Sequence, residues 1–311
     1  MISLERVTKR YGQHVALRDV SFTVEKGQIA GLLGRNGAGK TTALNLMTGY
    51  FPPDEGRVLV DGMDMLTEGQ ACKRRIGYLP EKPPLYDEMT VKDYLRFVSE
   101  LREVVPKGIP DHVAEILKVC DLEKQGERVI GNLSKGTRQR VGIAQALCGN
   151  PEVLILDEPT AGLDPLQVVE TRKLIRLLGE EHTILFSSHI LSEVQQLCDV
   201  AFILHEGRLI RRVPLRETEG TDLVRIRLSA AGTARELQPA IRSIGCVQHV
   251  ETLPTEEEGV AEMRITGTKA DARGRMTDQL FSLCAALGTP IRRMETEKDD
   301  LETAFLQAIT E

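Results

Sequence analysis

A glycine-rich octapeptide, Gly34-Arg-Asn-Gly-Ala-Gly-Lys-Thr41, constrains this chain more than any other part of its sequence. It follows the apolar run Ile29–Leu33, which predicts a buried strand, and it precedes a segment with helical patterning. Glycines let successive backbone N–H groups turn toward phosphate oxygens, and the N-terminus of the next helix attracts the same anion. The Lys40 ammonium adds charge toward the β- and γ-phosphates, and Thr41 offers a hydroxyl to Mg²⁺. The loop therefore predicts a nucleotide site, whose expected contacts are Asn36, Gly37, Ala38, Gly39, Lys40, Thr41 and Thr42.

A second apolar run, Val153–Leu156, ends in the acidic pair Asp157-Glu158. The carboxyl ends of parallel strands meet at the edge of a sheet where ligands bind, so this pair is expected beside the glycine-rich loop. Asp157 is then the carboxylate on the metal side, and Glu158 is free to orient and polarise an attacking water. Taken alone, the pair could also be an acidic strand end exposed to solvent.

Alternating strand-like and helix-like segments predict the fold class. Val15–Val24 reads as a strand, and the region 82–150 is expected to form a helical subdomain in which Thr90 caps a helix with Asp93 three residues on. Further strands are predicted at Val153–Leu156, Thr183–Ser187 and Val200–Leu204. The alternation indicates an α/β fold with a largely parallel sheet.

A polar connector at 216–221 separates this pattern from a second alternation. The elements predicted there are strands at Asp222–Leu228, Cys246–Leu253, Val260–Ile265 and Pro290–Glu295, and helices at Thr233–Ile244, Ala270–Leu287 and Leu301–Ile309. The order βαββαβ with a turn-linked central pair is the ferredoxin-like, split βαβ arrangement. The sequence thus predicts a first domain at 1–215, the linker 216–221 and a small α+β domain at 222–311.

Charge and hydropathy exclude some classes of protein. The 311 residues include 40 basic and 46 acidic side chains, and the net charge of −6 gives no electrostatic footprint for nucleic acid. No stretch approaches about 18 uncharged apolar residues, and the N-terminus has no apolar signal core. We therefore expect a cytoplasmic protein that binds no nucleic acid and crosses no bilayer by itself.

Further motifs connect the chain with a known family. Leu133-Ser-Lys-Gly-Thr-Arg-Gln-Arg140 resembles the signature motif of ATP-binding-cassette (ABC) proteins, and Asp157-Glu-Pro-Thr-Ala-Gly-Leu-Asp164 resembles their Walker B motif and D-loop. His189 matches the position of their switch histidine, and Tyr11 the position of an aromatic residue that stacks on adenine. Together with the glycine-rich loop, these ordered motifs make Ile2 to Arg212 resemble a P-loop NTPase of the ABC cassette type.

The resemblance implies a role for each matching residue, with ATP and Mg²⁺ as the bound cofactors. ABC cassettes close head to tail in pairs, and each ATP lies between the P-loop of one copy and the signature of the other. Glu158 would then act as general base, and His189 would hold the γ-phosphate and the attacking water. The residues implied to be catalytic are Lys40, Glu158 and His189. The nucleotide contacts implied outside the P-loop are Tyr11, Ser134, Gly136 and Asp164.

The sequence departs from the family pattern at two places. Gly77-Tyr-Leu-Pro-Glu81 has a carboxylate where the family has its Q-loop glutamine, although Glu81 could still bind Mg²⁺ or a water on it. The expected metal ligands are therefore Thr41, Asp157 and Glu81. Lys135 and Thr137 replace the first glycine and the glutamine of the signature. Both departures resemble exporter-type subunits, including those of gliding-motility, multidrug and copper-enzyme maturation systems.

The motifs and the missing membrane span together predict an ATP-hydrolysing subunit of an ABC transporter, and the resemblance to exporter-type subunits implies export. Its expected partners are a separate membrane-spanning permease chain and a second cassette, in a homodimer at the cytoplasmic face of the inner membrane. Two alternatives stay open at this point. One is a soluble ABC ATPase acting on ribosomes or DNA, and the other is an importer cassette with a C-terminal regulatory barrel.

Overall fold

Strands and helices alternate along the described part of the chain, which in this computed structural model comprises residues 1–215, 223–255, 257, 259–268, 270–271, 274–297 and 305. The chain divides into two compact units. The described residues of the first unit lie within Met1–Arg216 and include Phe305, and those of the second unit lie within Glu217–Asp300. The predicted linker 216–221 and, apart from Phe305, the predicted helix Leu301–Ile309 lie outside the described residues.

The first unit contains two sheets and the helices around them. Its strands are β1 (Ile2–Tyr11), β2 (His14–Val24), β3 (Ile29–Leu33), β4 (Glu55–Val60), β5 (Met63–Asp64), β6 (Ile76–Leu79), β7 (Val153–Asp157), β8 (Thr183–Ser188), β9 (Val200–His205) and β10 (Arg208–Pro214). Its α-helices are α1 (Lys40–Met47), α2 (Gly69–Arg74), α3 (Val91–Leu101), α4 (Ile109–Val119), α5 (Lys135–Leu147), α6 (Pro165–Leu178) and α7 (Leu191–Leu197).

A six-stranded sheet in the order β10-β9-β3-β8-β7-β6 forms the centre of this unit. Its strands pair in parallel except for β10, which is antiparallel to β9. Every residue of β3 and β7 is buried, as expected for parallel strands covered on both faces. The predicted α/β fold with a largely parallel sheet is confirmed.

Two cores of buried apolar side chains cover the faces of the six-stranded sheet. One core joins it to α1 and to the antiparallel sheet β2-β1-β4-β5, and there the rings of Phe22 and Phe202 lie 4.5 Å apart. The other core joins it to helices of the predicted helical region, through side chains such as Leu95 and Ile143. Phe305 and Leu215 also pack against this second core.

Local signals in the sequence place the first helix of the helical region correctly. Thr90 is the N-cap of α3, and its hydroxyl accepts a hydrogen bond from the Asp93 amide at 3.1 Å. Pro110 lies in the first turn of α4, where a missing N–H costs nothing because that donor has no partner inside the helix.

The second unit has the βαββαβ order that the sequence predicts, with one addition. Its elements are β11 (Leu223–Ala231), α8 (Ala234–Arg242), β12 (Val247–Leu253), β13 (Val260–Thr268), β14 (Ala270–Asp271), β15 (Gly274–Arg275), α9 (Met276–Ala286) and β16 (Ile291–Glu297). Four antiparallel strands form its main sheet in the order β12-β13-β11-β16, and its core lies between that sheet and the two helices.

One helix of the second unit begins later than predicted. The helix expected at Ala270–Leu287 spans only Met276–Ala286, and the short pair β14 and β15 precedes it. Gly274 has a φ of 120°, which is incompatible with a helix and fits a hairpin.

No helix among the described residues is long and apolar enough to cross a membrane.

Candidate functional site

The glycine-rich loop connects the buried strand β3 to the first turn of α1. Gly39 is the N-cap of α1 with a φ of 104°, and a β-carbon there would lie 2.7 Å from the carbonyl oxygen of Ala16. At Gly34 a β-carbon would lie 2.5 Å from the carbonyl oxygen of Leu204. Backbone geometry and close packing therefore both require glycine, and no side chain caps the first amides of α1. Those free amides and the helix dipole suit a phosphate.

Lys40 is held at the inner side of this loop. Only 7% of the residue is exposed, and its Nζ donates a hydrogen bond to the carbonyl oxygen of Gly34 at 2.8 Å. The same Nζ lies 3.3 Å from Oε1 of Glu158. The loop and the end of β7 are thus adjacent, as the edge rule for parallel sheets predicts.

Glu158 occupies a strained position directly after β7. Its φ of 47° lies in the left-handed region, which side-chain-bearing residues rarely adopt and which is found at functional sites. Nδ1 of His189 lies 2.9 Å from Oε2 of Glu158. If Glu158 is ionised, its carboxylate only accepts hydrogen bonds, so Nδ1 is the donor and a neutral ring presents Nε2 as an acceptor. The carboxylate therefore lies between the Lys40 ammonium and an imidazole.

Asp157 is the more deeply buried carboxylate of the pair, with 1% of the residue exposed. Burial raises its pKa, and the negative charges of Glu158 and Glu81 act in the same direction, whereas hydrogen bonds from the hydroxyls of Ser187 and Thr41 oppose the rise. Ser187 Oγ donates to Asp157 Oδ1 at 2.5 Å. The neighbouring amide of Glu158 donates to the same Oγ at 2.9 Å, so Ser187 fixes both acidic residues.

A buried glutamate supports the loops around this pair. Glu193 accepts hydrogen bonds from Thr160 at 2.8 Å and from Ser188 at 2.9 Å, through the same oxygen. Thr160 follows Glu158 by two residues, and Ser188 precedes His189. Glu193 therefore connects the segments that carry Glu158 and His189. Sequence reasoning missed Ser187, Ser188 and Glu193, although two serines at the end of a buried strand are a signal for such a network.

A cavity of about 420 Å³ brings most of the predicted site residues together. The predicted residues that line it are Tyr11, Asn36, Gly37, Gly39, Lys40, Thr41, Thr42, Glu81, Glu158 and His189. Tyr11 forms one of its walls, is 47% exposed, and packs edge-on against Phe51 at 5.8 Å. Sequence reasoning missed His14, Ala16, Arg35 and Ala161, which also line the cavity. The cavity combines an aromatic wall with a phosphate loop, which suits a nucleotide.

A second concavity, the side groove, shares Thr41 and Glu81 with this cavity. It has a volume of about 900 Å³ and is lined among others by Thr41, Asp157, Glu81, Tyr50 and Arg102. Arg102 ends α3 and donates to the carbonyl oxygens of Lys73 at 3.0 Å and Cys148 at 3.2 Å, and also to that of Ile76. It thereby ties the helical region to the strand that leads to Glu81.

The predicted signature residues lie outside the 420 Å³ cavity. Ser134 is the N-cap of α5, and its Oγ accepts a hydrogen bond from the amide of Thr137 at 3.3 Å. Asp164 is the N-cap of α6, and its Oδ1 accepts from the amide of Gln167 at 2.9 Å. Gly136 packs against the Gln167 side chain, since a β-carbon there would lie 2.5 Å from its Cδ. Within one chain, these residues do not meet the nucleotide cavity.

Known proteins resemble this chain over its first unit and, in some cases, over its whole length. A family model described as "ABC transporter" matches residues 17–161. The bacitracin transport ATP-binding protein BcrA of Bacillus licheniformis is 39% identical over 216 residues, which are 69% of this chain and 70% of BcrA. The linearmycin resistance ATP-binding protein LnrL of Bacillus subtilis (strain 168) is 30% identical over 312 residues, which are 98% of this chain and 97% of LnrL.

Solved structures show the same cassette fold. The dimeric structure of MJ0796, a bacterial ABC transporter cassette, has a TM-score of 0.64 and 26% sequence identity, and the match covers 70% of this chain and 100% of MJ0796. The same cassette is also known as a dimer in a post-hydrolysis state bound to ADP and Pi, with an equal TM-score. With its motifs, its phosphate loop and these similarities, the chain belongs to the ATP-binding subunits of ABC transporters and is an ATPase.

Proposed function

We propose that this chain hydrolyses ATP in the 420 Å³ cavity and that Lys40, Glu158 and His189 are its catalytic residues. The single observation that carries the proposal is the position of the Glu158 carboxylate, between Lys40 Nζ at 3.3 Å and His189 Nδ1 at 2.9 Å. Lys40 meets the γ-phosphate, so Glu158 lies beside the reacting phosphorus. From there its carboxylate takes a proton from the attacking water.

His189 keeps that carboxylate in place during the reaction. Its Nδ1–H donates to Glu158, which leaves Nε2 on the other side of the ring for the water or, when protonated, for a γ-phosphate oxygen. The buried Glu193 holds the segments on both sides, through Thr160 and Ser188. A carboxylate and an imidazole fixed in this way align the water without further rearrangement.

The remaining contacts fix the nucleotide. The loop residues Asn36, Gly37, Gly39, Thr41 and Thr42, which line the cavity, hold the phosphates through the backbone and hydroxyl groups. Ala38, the other predicted loop contact, is not among the lining residues, and its amide donates to the carbonyl oxygen of Arg35 at 3.1 Å. The half-exposed Tyr11 stacks on the adenine ring at the opposite wall.

Thr41, Asp157 and Glu81 are the proposed Mg²⁺ ligands, and their chemistry suits this ion. Asp157 is a buried carboxylate beside two further carboxylates, and a cation there would offset the cost of its charge. Among the described residues no cluster of three or more His, Cys, Asp or Glu holds a metal by itself. Mg²⁺ commonly binds through one or two carboxylates together with substrate phosphates, so the ion would arrive with ATP. When bound, it neutralises charge on the β- and γ-phosphates.

Two copies of the chain complete the site. We assign the trans contacts with the γ-phosphate to Ser134, through its hydroxyl, and to Gly136, through its amide at the start of α5. Asp164 lies nearby as the cap of α6 and shapes the loop that faces the second copy. The dimers of the MJ0796 cassette support a homodimer of this kind.

The transport direction proposed is export, through a separate membrane-spanning chain. The printed names of BcrA and LnrL refer to bacitracin transport and linearmycin resistance, which support export. The side groove, with its exposed Tyr50 and with Arg102 fixing the helical region, is the proposed contact for the permease. The chain would then work at the cytoplasmic face of the inner membrane. Ribosome, DNA or importer roles receive no support from these relatives.

We further propose that 1–215 is the cassette and 222–311 an accessory domain joined to it by 216–221. The relative LnrL supports a shared two-domain plan because it matches along both parts of the chain.

Isolation of the native complex from membranes tests the transport proposal. We expect the chain to co-purify with one spanning subunit, and Tyr50→Ala to weaken that association while ATP hydrolysis by the purified chain stays unchanged. Tyr86→Ala, which removes another exposed tyrosine outside the side groove, is the matched control. A chain that hydrolyses ATP normally but is never found with a membrane protein contradicts the proposal.

A further inference from the structure

Lys135, which replaces a glycine of the family signature, occupies a position at which a positive charge disfavours helix formation. It is the first residue of α5, whose first turn contains no acidic side chain. A cation at a helix N-terminus opposes the helix dipole. Within the described residues the structure gives Lys135 no ion pair, and its side chain is exposed. Helix stability therefore does not account for this lysine.

The ammonium group of Lys135 lies directly against the loop 158–164. A β-carbon placed on Gly162 would lie 2.0 Å from Lys135 Nζ, so the lysine occupies the space that a side chain at 162 would take. Gly162 also has a φ of 66°, in the region that favours glycine. The contact thus joins the first residue of α5 to the turn that follows Glu158.

Two further contacts hold the same pair of segments together. The Gln167 side chain of α6 lies against Gly136, and the guanidinium of Arg140 pairs with Glu170 one turn further along both helices. The start of α5 is therefore packed along the start of α6, and Lys135 extends that contact to the loop before α6.

The loop itself connects Gly162 to Glu158. The amide of Ala161 donates to the carbonyl oxygen of Glu158 at 3.0 Å, and the amide of Leu163 donates to that of Thr160 at 3.2 Å. Two overlapping turns therefore run from Glu158 to Leu163, and Gly162 lies in the second of them while Glu158 begins the first.

We propose that Lys135 is a positioning residue that fastens the start of α5 to the loop 158–164. When Ser134 and Gly136 bind the nucleotide of a second copy, this link fixes the position of Glu158 in the same chain. The inference rests on the proposed function, which assigns those trans contacts and the base. In this role Lys135 binds no ligand. It links the signature segment, which faces one nucleotide of the dimer, to Glu158, which faces the other nucleotide.

Steady-state ATP hydrolysis by the full-length chain tests this role with four variants. Lys135→Ala should lower kcat about 5-fold or more, in the range of couplings between sites, with KM for ATP unchanged and no fall in the unfolding temperature, because the variant also removes a cation that opposes the helix dipole. Lys135→Arg should retain most of kcat, because arginine keeps a long, positively charged side chain. Lys118→Ala, which removes an exposed lysine of α4, should leave kcat unchanged. Gly162→Ala should displace the ammonium and lower kcat, and should have a smaller effect once Lys135 is alanine.

A second measurement separates positioning from nucleotide binding. In the Glu158→Gln background, Lys135→Ala should still form the ATP-bound dimer, because the lysine positions the base and does not hold ATP. Loss of that dimer, or a kcat for Lys135→Ala equal to that of Lys118→Ala, overturns the inference. Full turnover by Glu158→Gln itself would instead overturn the proposed function, so the two failures are distinguishable.

Discussion

His189 Nδ1 lies 2.9 Å from Glu158 Oε2, although the two residues belong to separate strand ends. The contact arises because β7 and β8 are parallel neighbours, with Asp157 opposite Ser187 in the register, so the residues that follow them emerge at the same edge. The topology of the sheet therefore brings the proposed base, Glu158, and the imidazole of His189 together.

Replacing His189 by alanine should lower kcat for ATP hydrolysis about 100-fold, since small errors in the geometry of catalytic groups have effects of this order. Binding of a non-hydrolysable ATP analogue should be little changed, because the variant keeps Lys40 and the glycine-rich loop, the proposed phosphate contacts. His249→Ala, at an exposed histidine of the second unit, is the control. Equal rates for the two variants would remove His189 from the reaction.

Tyr11→Ala should weaken ATP binding, whereas Tyr11→Phe should retain it, because stacking needs only the ring. Base stacking on aromatic side chains contributes about 1–3 kcal/mol in nucleic-acid binders, which corresponds to roughly 5- to 150-fold in Kd. Tyr86→Ala is a matched control, since Tyr86 is as exposed as Tyr11 and lies outside the cavity. Titration with a fluorescent ATP analogue measures the effect, and an unchanged Kd for Tyr11→Ala contradicts stacking.

Asp157→Asn should stabilise the nucleotide-free chain and abolish hydrolysis. Because the pKa of Asp157 is raised in the folded state, its ionised form lowers the free energy of unfolding at neutral pH, and that cost disappears as the pH falls below the ordinary value. Asparagine has no charge and still accepts the Ser187 hydrogen bond. Thermal unfolding from about pH 4 to about pH 8 should show a gain for the variant that grows with pH.

Glu100→Gln, at an exposed acid of α3, is the control for that series and should show no such trend. A gain for Asp157→Asn that shrinks as the pH rises would mean that the carboxylate is stabilised, not penalised, by its surroundings.

Gly39→Ala should destabilise the chain by about 1–3 kcal/mol and abolish ATP binding, because its φ of 104° and the nearby Ala16 carbonyl both disfavour a β-carbon. Urea unfolding and analogue binding measure the two effects. Gly108→Ala serves as control, since a β-carbon at that glycine meets nothing within 4 Å. Comparable stability of the two variants would contradict the strained geometry of the loop.

Features set by a few neighbouring residues could be predicted from the sequence. The P-loop between β3 and α1 is one, because glycine spacing and the flanking apolar run define it locally. The cap of α3 is another, since Thr90 and Asp93 stand three residues apart and bond as expected. The family motifs added the order of the site residues along the chain.

Features that depend on distant contacts could not be predicted. β10 (Arg208–Pro214) is mostly exposed at a sheet edge and so lacks an apolar run. The first part of the helix predicted at Ala270–Leu287 is a hairpin, because Gly274 breaks it. The sequence alone gives no sign that Glu193 is buried, because acidic helix residues usually face solvent. Tertiary packing nevertheless buries it beside Thr160 and Ser188.

The central claim is that Glu158 takes the proton of the attacking water, and the Glu158→Gln variant tests it most directly. Its amide still fills the space between Lys40 and His189 but cannot accept the proton, so hydrolysis should fall by about 10²- to 10⁴-fold while ATP binding persists. The variant should accumulate as an ATP-bound dimer in size-exclusion chromatography. Turnover by Glu158→Gln at the rate of the unmodified chain would contradict the account.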